Sequence, residues 1–189
     1  MSDEMVQAVL EDAAERMDKA VVHAKGEFAA VRTGRATPAL VEKIPVEYYG
    51  STVPLQQLAS FSVPEARMLL ISPFDKGSMA AIERSIMDSN LGLNPSNDGV
   101  SIRLAFPPLT EERRKEFVRL VKNKAEDSRN AVRGARRDAR KDLEGLEKDG
   151  DMTSDDLHRA EAELDRLTKA HEAQIDEALE VKTKELLEG

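Results

Sequence analysis

Proline is confined to one part of this 189-residue chain, and that distribution constrains the fold more than any other feature. All eight prolines lie between residues 38 and 108. Because proline lacks a backbone N–H and breaks a helix interior, long helices are possible only before and after this segment. We therefore expect long helices on both sides of a compact inserted domain.

The stretch before the first proline has the pattern of one amphipathic helix. Apolar residues recur at intervals of three and four from residue 3 to residue 31, among them Ala13, Met17, Ala24 and Phe28. Gly34 then permits backbone angles that other residues avoid, and Pro38 disfavours a helical residue before it. We predict that the first helix ends near residue 31.

Two further helices are predicted after residue 108. Thr110-Glu111-Glu112 suits the start of the second, since a threonine caps the helix and carboxylates favour its positive end. Gly150 marks its end, and Thr153 with Asp156 resembles a capping box for the third helix. Apolar stripes run over 118–146 and 157–181, and each must be buried, so we predict a long antiparallel three-helix bundle.

The segment from residue 44 to residue 106 predicts a small α/β domain. A helix is expected over 76–89, with Asp75 as its N-cap. Pro64 and Glu65 lie between the second and third of the β-like runs and interrupt them. These runs lie at 44–49, 58–63, 67–72 and 100–106.

The fold class is accordingly α+β, a long antiparallel three-helix bundle with an inserted small α/β domain of one β-sheet and one helix. We assign residues 1–33 and 108–189 to the bundle (domain I) and 34–107 to the insert (domain II). Two adjacent linkers containing Gly and Pro make a two-stranded hinge. Two rigid turns in one fixed molecule explain these linkers equally well.

Charge is distributed unevenly along the chain. The net charge is −8, yet residues 113–141 hold twelve Lys/Arg against four Asp/Glu, while residues 151–189 hold five against twelve. At 100° per residue, seven cations of the second long helix fall within about 100° of arc, a third of a turn from the apolar stripe. They are Lys115, Arg119, Lys122, Arg129, Arg133, Arg136 and Arg140.

This basic face has two interpretations. Charged helix faces are commonly solvated and paired with neighbouring helices, and the acidic third helix offers partners. Five of the seven cations are arginines, however, and the planar guanidinium suits phosphate. Few aromatics, 4% of the chain, favour structured RNA over single strands, which need stacking platforms.

Other chemistry finds no support in the sequence. Cysteine is absent, no phosphate-binding glycine loop or metal motif occurs, and we expect no cofactor, no metal site and no catalytic residue. His171 lies on an apolar stripe, where a packed histidine is expected. The composition predicts a cytoplasmic protein without a membrane span, and we expect a monomer.

Three rival functions remain open at this stage. A coiled-coil adaptor for another protein would bind in a salt-insensitive way. An enzyme housed in residues 44–106 would need a polar pocket, for which the sequence offers no cluster. The third is a rod that binds DNA, which competition assays with DNA duplexes would reveal.

The chain resembles the bacterial ribosome recycling factor family over essentially its whole length. The shared order and spacing of several motifs carry the resemblance. They are Arg32-Thr-Gly-Arg-Ala36 with Pro38; Val46-Glu-Tyr-Tyr-Gly50; Pro54-Leu55 with Gln57-Leu58-Ala59; Leu91-Gly-Leu-Asn-Pro95; Pro107-Pro-Leu-Thr-Glu-Glu-Arg-Arg-Lys115; and Val132-Arg133 with Arg136-Arg137-Asp138-Ala139.

The resemblance implies an L-shaped, non-enzymatic translation factor. Such factors bind the post-termination ribosome across the aminoacyl and peptidyl sites of the large subunit, with domain I on 23S ribosomal RNA. Elongation factor G and GTP then promote subunit dissociation and release from mRNA, and the GTPase belongs to that partner.

The family motifs also imply roles for particular residues. RNA contact is expected from the basic helix face and from the arginines beside the first linker, and hinge bending from both linkers. The RNA-binding set is Arg32, Arg35, Lys122, Arg129, Arg133, Arg136, Arg137 and Arg140, and the hinge set is Thr33, Gly34, Pro107 and Pro108. Gly134 departs from expectation, since glycine inside a helix costs about 1 kcal/mol.

Overall fold

The computed structural model describes residues 2–188 and divides them into two compact units. The first comprises the chain up to Val31 together with Lys115–Glu185. The second comprises Arg32–Arg114 and the last described residues, 186–188. The predicted α+β class is confirmed, because long helices build the first unit and a small sheet with one α-helix builds the second. The assignment of residues 34–107 to the insert stays a prediction.

Four α-helices are present in residues 2–188, and their bounds follow the proline distribution. They are α1 (Ser2–Ala29), α2 (Met79–Asp88), α3 (Glu111–Lys148) and α4 (Ser154–Glu188). Helix α3 has 38 residues, which at 1.5 Å per residue makes a rod about 57 Å long.

The helix ends are set by the residues predicted to set them. Thr110 Oγ1 accepts a hydrogen bond from the backbone N–H of Arg113 at 3.2 Å. Thr153 Oγ1 accepts from the N–H of Asp156 at 3.1 Å, and the Thr153 hydroxyl donates to Asp156 Oδ2 at 2.6 Å. Gly150 has a φ of 82°, which lets the chain turn between α3 and α4.

The core of the first unit consists of the predicted stripes, with one error at the end of α4. Val181 was expected to continue the stripe but is 55% exposed, whereas Lys182 is 9% exposed. The buried stripe of α4 includes Ile175. Two helical turns, or about seven residues, after Ile175 the inward-facing position is 182 rather than 181. Small side chains are frequent in this core, among them Ala13, Ala24, Ala125, Ala135, Ala139 and Ala160.

Polar contacts fix the directions of the helices in the first unit. Arg16 of α1 pairs with Asp138 of α3 at 2.8 Å, and Glu27 of α1 pairs with Lys124. Residue numbers rise along α1 as they fall along α3, so these two helices are antiparallel. The short loop at Gly150 makes α3 and α4 antiparallel as well.

The second unit contains a hairpin and a four-stranded antiparallel sheet. The hairpin pairs β1 with β2, and the sheet has the order β3-β4-β6-β5. The strands are β1 (Pro45–Tyr48), β2 (Ser51–Pro54), β3 (Ala59–Glu65), β4 (Met68–Pro73), β5 (Pro95–Asn97) and β6 (Ile102–Ala105).

Helix α2 packs against the sheet and completes the hydrophobic core of the second unit. Ile82 and Ile86 of α2 join a buried cluster with Leu69, Ile71 and Leu104 of the sheet. The predicted helix over 76–89 begins as a short 3-10 helix, Lys76–Ser78, before α2. Asp75 caps it as expected, since its Oδ1 accepts from the N–H of Gly77 at 2.9 Å.

Two local expectations for the insert were wrong, and one strand was not predicted. Val100 was placed on the inward face of a strand but is 60% exposed, because Asp98 accepts hydrogen bonds from the N–H groups of Val100 and Ser101 and forms a turn there. Pro64 does not end its strand. Strand β3 lies at the sheet edge, where proline is tolerated, and its register shifts between Ser62 and Glu65. Strand β5, the other edge, was not predicted, because its Pro-Ser-Asn sequence has no apolar alternation.

Candidate nucleic-acid interface

Helix α3 places its core stripe and its cations on separate faces. The stripe from Val121 to Leu143 is buried. The predicted RNA-contacting side chains of α3 lie outside that stripe. Lys122, Arg133, Arg137 and Arg140 are exposed, and Arg129 and Arg136 are half-buried.

An acidic row on α4 lies against this basic face and forms four ion pairs, which we call the α3–α4 charge ladder. Three rungs pass through the arginine Nε and one through an Nη. They are Arg129 Nη1–Asp176 Oδ1 at 2.6 Å, Arg133 Nε–Glu172 Oε1 at 2.7 Å, Arg136 Nε–Asp165 Oδ1 at 2.7 Å and Arg140 Nε–Glu161 Oε1 at 3.1 Å.

One acidic residue, Glu126, lies within the basic face, and its carboxylate is paired with two arginines of that face. Its carboxylate accepts from Arg129 Nε at 3.0 Å and from Arg133 Nη1 at 3.2 Å. These two guanidiniums, Arg129 first, hold the pKa of Glu126 below its usual value. The pKa of Arg133 is raised because Glu172 and, to a lesser degree, Glu126 accept its hydrogen bonds.

The ladder arginines differ in how much surface they leave to solvent. The side chains of Arg133 and Arg140 are 47% and 50% exposed, that of Arg136 is 33% exposed, and that of Arg129 only 19%. The pairing with α4 that one interpretation predicted is therefore present. The arginines nevertheless remain at the surface on one face of the helix, as the other interpretation requires.

A polar groove lies at the two rungs of the ladder nearest the loop between α3 and α4. It has a volume of about 180 Å³ and is lined by Arg136, Arg140, Glu161, Leu164 and Asp165. Two guanidiniums thus border one concave surface, and their acidic partners form its other side.

Two of the predicted RNA-contacting residues belong to the second unit. Arg32 is half-buried, and its Nη1 donates to the carbonyl oxygen of Leu91 at 3.3 Å. Arg35 is exposed. The structure therefore groups six of the eight predicted residues on α3 and leaves Arg32 and Arg35 in the other unit.

The predicted hinge residues lie in two neighbouring segments of the second unit. Gly34 has a φ of 80°, and a Cβ built there would lie 3.4 Å from the backbone nitrogen of Leu109 and 3.8 Å from Cα of Pro108. Thr33 Oγ1 accepts from the N–H of Arg35 at 3.3 Å. The distances from the Cβ built at Gly34 are ordinary contact distances, and the positive φ explains why a glycine stands at position 34. Bending at Thr33, Gly34, Pro107 and Pro108 stays a prediction.

His171 of α4 is a buried histidine with two hydrogen-bonding neighbours. His171 is 6% exposed, with Nδ1 2.6 Å from the carbonyl oxygen of Leu167 and Nε2 2.6 Å from Asp18 Oδ1. Within residues 2–188 no cluster of three or more His, Asp or Glu side chains could hold a metal ion. No helix of the described chain is long and apolar enough to cross a membrane.

The α4 carboxylates are the part of the site that residue-by-residue reading did not single out. Glu161, Asp165, Glu172 and Asp176 recur at intervals of four and seven, which puts them on one face of a helix. That spacing, together with arginines on α3 at intervals of four, three and four, was the signal available in the sequence.

These features define a class of protein, a three-helix bundle with an α/β insert and a guanidinium-lined helix face. A family model described as ribosome recycling factor matches residues 24–187. The ribosome-recycling factors of Acidothermus cellulolyticus and Paenarthrobacter aurescens are 53% and 54% identical to the chain over 184 residues, which cover 97% of this chain and 100% of each relative. The chain belongs to the ribosome recycling factor family, and it is a translation factor rather than an enzyme.

Solved structures agree with this assignment. A solution structure of the ribosome recycling factor matches with a TM-score of 0.80 at 41% identity, covering 97% of this chain and 98% of the other. A second match, with a TM-score of 0.69 and 41% identity over 96% of this chain and 98% of the other, is one of the models for the T. thermophilus ribosome recycling factor and the E. coli elongation factor G bound to the E. coli post-termination complex.

Proposed function

We propose that this chain binds the post-termination ribosome through ribosomal RNA and, with elongation factor G and GTP, promotes subunit dissociation and release from mRNA. Family membership supports ribosome recycling, and the related factor bound to the post-termination complex supports the two partners. The observation that carries the RNA contact is the row of surface guanidiniums along α3.

The chemistry of that row suits 23S ribosomal RNA of the large subunit. Arginine presents five N–H donors in a planar fork, which matches the oxygens of a phosphate. Six candidate contacts lie on one helix: Lys122, Arg129, Arg133, Arg136, Arg137 and Arg140. Arg32 and Arg35 are the candidates in the second unit.

Phosphate contact predicts a strong dependence of binding on salt. Each neutralised phosphate releases counterions, so a contact with ~5 phosphates lowers log K steeply as log[salt] rises. A contact dominated by apolar packing with a protein partner would change little over the same range. Salt dependence therefore separates this proposal from the adaptor alternative.

The first experiment measures binding of the Arg136→Ala and Arg133→Ala variants to purified 70S ribosomes at several KCl concentrations. We expect weaker binding and a shallower salt slope, with an unchanged melting temperature. Arg166→Ala is the matched control, because Arg166 is an exposed α4 arginine paired with Glu163 and lies off the ladder. Equal binding by Arg136→Ala, Arg133→Ala and the control would reject the basic-face contact.

The second experiment tests recycling itself. Post-termination ribosomes are mixed with the chain, elongation factor G and GTP, and subunit splitting is followed by light scattering. We expect splitting only when all components are present, and a reduced rate with Arg136→Ala. Competition of ribosome binding by duplex DNA at low concentration would instead favour the DNA-binding alternative.

We further propose a cytoplasmic, monomeric protein whose two domains, 1–33 with 108–189 and 34–107, bend at Thr33, Gly34, Pro107 and Pro108. The support is the positive φ of Gly34 and the prolines at 107 and 108 in the neighbouring segment. Gly34→Ala strains this position. It is expected to slow splitting more than it weakens ribosome binding.

A further inference from the structure

We infer that the α4 carboxylates Asp165, Glu172 and Glu161 are positioning residues that hold the α3 arginines in the orientation used for phosphate contact. The inference rests on the proposed function. It adds a role for α4, whose net negative charge would otherwise oppose the approach of RNA.

The geometry of three rungs supports this role. Asp165, Glu172 and Glu161 accept hydrogen bonds from the Nε atoms of their arginine partners at 2.7, 2.7 and 3.1 Å. Glu161 shares the Nε–H of Arg140 with Glu144 of α3, which lies at 3.0 Å. The Nε–H lies at one side of the guanidinium, whereas the pair of Nη groups forms its outer end. A carboxylate at Nε therefore fixes the plane of the fork from the side opposite that end. Arg133 also donates Nη1 to Glu126 at 3.2 Å, so its outer end is partly engaged, and Arg136 is the clearest case.

The exposures agree with this division of the guanidinium. Arg133 and Arg140 are about half exposed although each is bonded to an α4 acid, and Arg136 is one-third exposed. An exposed arginine samples many rotamers, and ordering it on binding weakens the complex. A fork already held by its Nε loses less freedom when phosphate binds to its outer end.

The fourth rung has a different geometry and serves as an internal comparison. Arg129 donates through Nη1 to Asp176 and through Nε to Glu126, and its side chain is only 19% exposed. Arg133 also donates through both Nε and Nη1, but its side chain keeps 47% exposure, so low exposure is what distinguishes Arg129. Asp176 therefore supports the bundle and is not expected to orient a phosphate ligand.

A positioning role and simple electrostatic repulsion predict opposite changes in binding affinity when one of these acids is neutralised. Neutralising an acid beside a polyanion site should tighten binding if the acid only repels phosphate. If the acid orients an arginine, its removal should weaken binding despite the gain in positive charge. The sign of the change therefore decides between the two.

The test uses the full chain and purified 70S ribosomes at one KCl concentration. We expect Asp165→Asn and Glu172→Gln each to weaken binding by roughly three- to tenfold. Asp165→Glu should recover part of the loss, because it retains a carboxylate. Glu177→Gln is the charge control, an exposed acid on α4 outside the ladder, and it should bind as well as or better than the parent. Asp176→Asn should lower the melting temperature with little change in binding.

Each outcome decides the inference. Tighter or unchanged binding by both Asp165→Asn and Glu172→Gln, while Arg136→Ala still binds weakly, overturns positioning and leaves the proposed function standing. Normal binding by Arg136→Ala and Arg133→Ala rejects the proposed RNA contact, and positioning is rejected with it. Melting curves identify any variant that fails to fold, and the two acid variants probe separate rungs, so one folded variant is sufficient.

Discussion

The Tyr48 hydroxyl donates a hydrogen bond to Oδ2 of Asp75 at 3.1 Å, which ties hairpin β1–β2 to the turn that starts helix α2. Tyr49 donates to the same oxygen at 3.3 Å. Tyr49 and Gly50 form the hairpin turn, with φ values of 47° and 80°. Both phenols of the second unit therefore meet at one carboxylate, which also accepts the N–H of Gly77 through Oδ1.

The first prediction concerns ionisation of this cluster. The hydrogen bond to Asp75, with burial adding to it, raises the pKa of Tyr48 above 10.0. The chain has two tyrosines and no tryptophan, so alkaline absorbance titration reports on these two phenols alone. We expect Asp75→Asn to shift part of the titration to lower pH. Asp98→Asn is the control, and an identical curve for Asp75→Asn and the parent would contradict the contact.

The second prediction concerns Gly134, which lies inside α3 although glycine is a poor helix former. A Cβ built there meets only Arg137 Nη2, at 3.9 Å, which is an ordinary contact. Gly134→Ala should therefore raise the free energy of unfolding by about 1 kcal/mol, measured by urea denaturation. Gly150→Ala should do the reverse, because Gly150 has a φ of 82°. A loss of stability in Gly134→Ala would show that the helix needs glycine there.

The third prediction concerns the link between α1 and α4. Asp18 accepts from Nε2 of the buried His171, and its removal would leave that ring nitrogen without its partner. We expect Asp18→Ala to lower the free energy of unfolding by about 1–3 kcal/mol. Asp12→Ala removes another exposed carboxylate from α1 and should have a smaller effect. Equal effects of the two substitutions would argue against the contact.

The fourth prediction concerns Lys182, whose Nζ lies 3.9 Å from Glu185 while the residue is 9% exposed. Burial lowers the pKa of Lys182, and Glu185 only partly opposes this. Between the lowered folded pKa and 10.5 the unfolded chain binds more protons, so stability from this lysine rises as the pH increases. Lys182→Met should raise stability by about 1 kcal/mol near neutral pH.

The control for this prediction is the pH profile. The stability gain of Lys182→Met over the parent should shrink in urea unfolding as the pH rises toward 10.5, the ordinary pKa of lysine. Lys169→Met replaces an exposed lysine of the same helix and should show no such trend. A gain that stays constant with pH would mean that the lysine is solvated in the folded state.

Local sequence patterns predicted the structure correctly wherever a feature depends only on residues close to it in sequence. The stripe of α3 from Val121 to Leu143 and the caps at Thr110 and Thr153 depend on residues within one or two turns. The cations of α3 share an arc for the same reason, since helical periodicity alone separates them from the stripe. These features followed from the order of residues.

Packing between elements that are distant in sequence determined the features that local patterns did not predict. Arg136 and Asp165 stand 29 residues apart in sequence, and only the antiparallel packing of α3 on α4 brings Nε within 2.7 Å of the carboxylate. Strand β5 exists because β6 offers it a pairing edge. The sequence by itself determined which helices form and which face each presents. The tertiary structure determined which charges meet, because pairing depends on distances between elements that local periodicity does not encode.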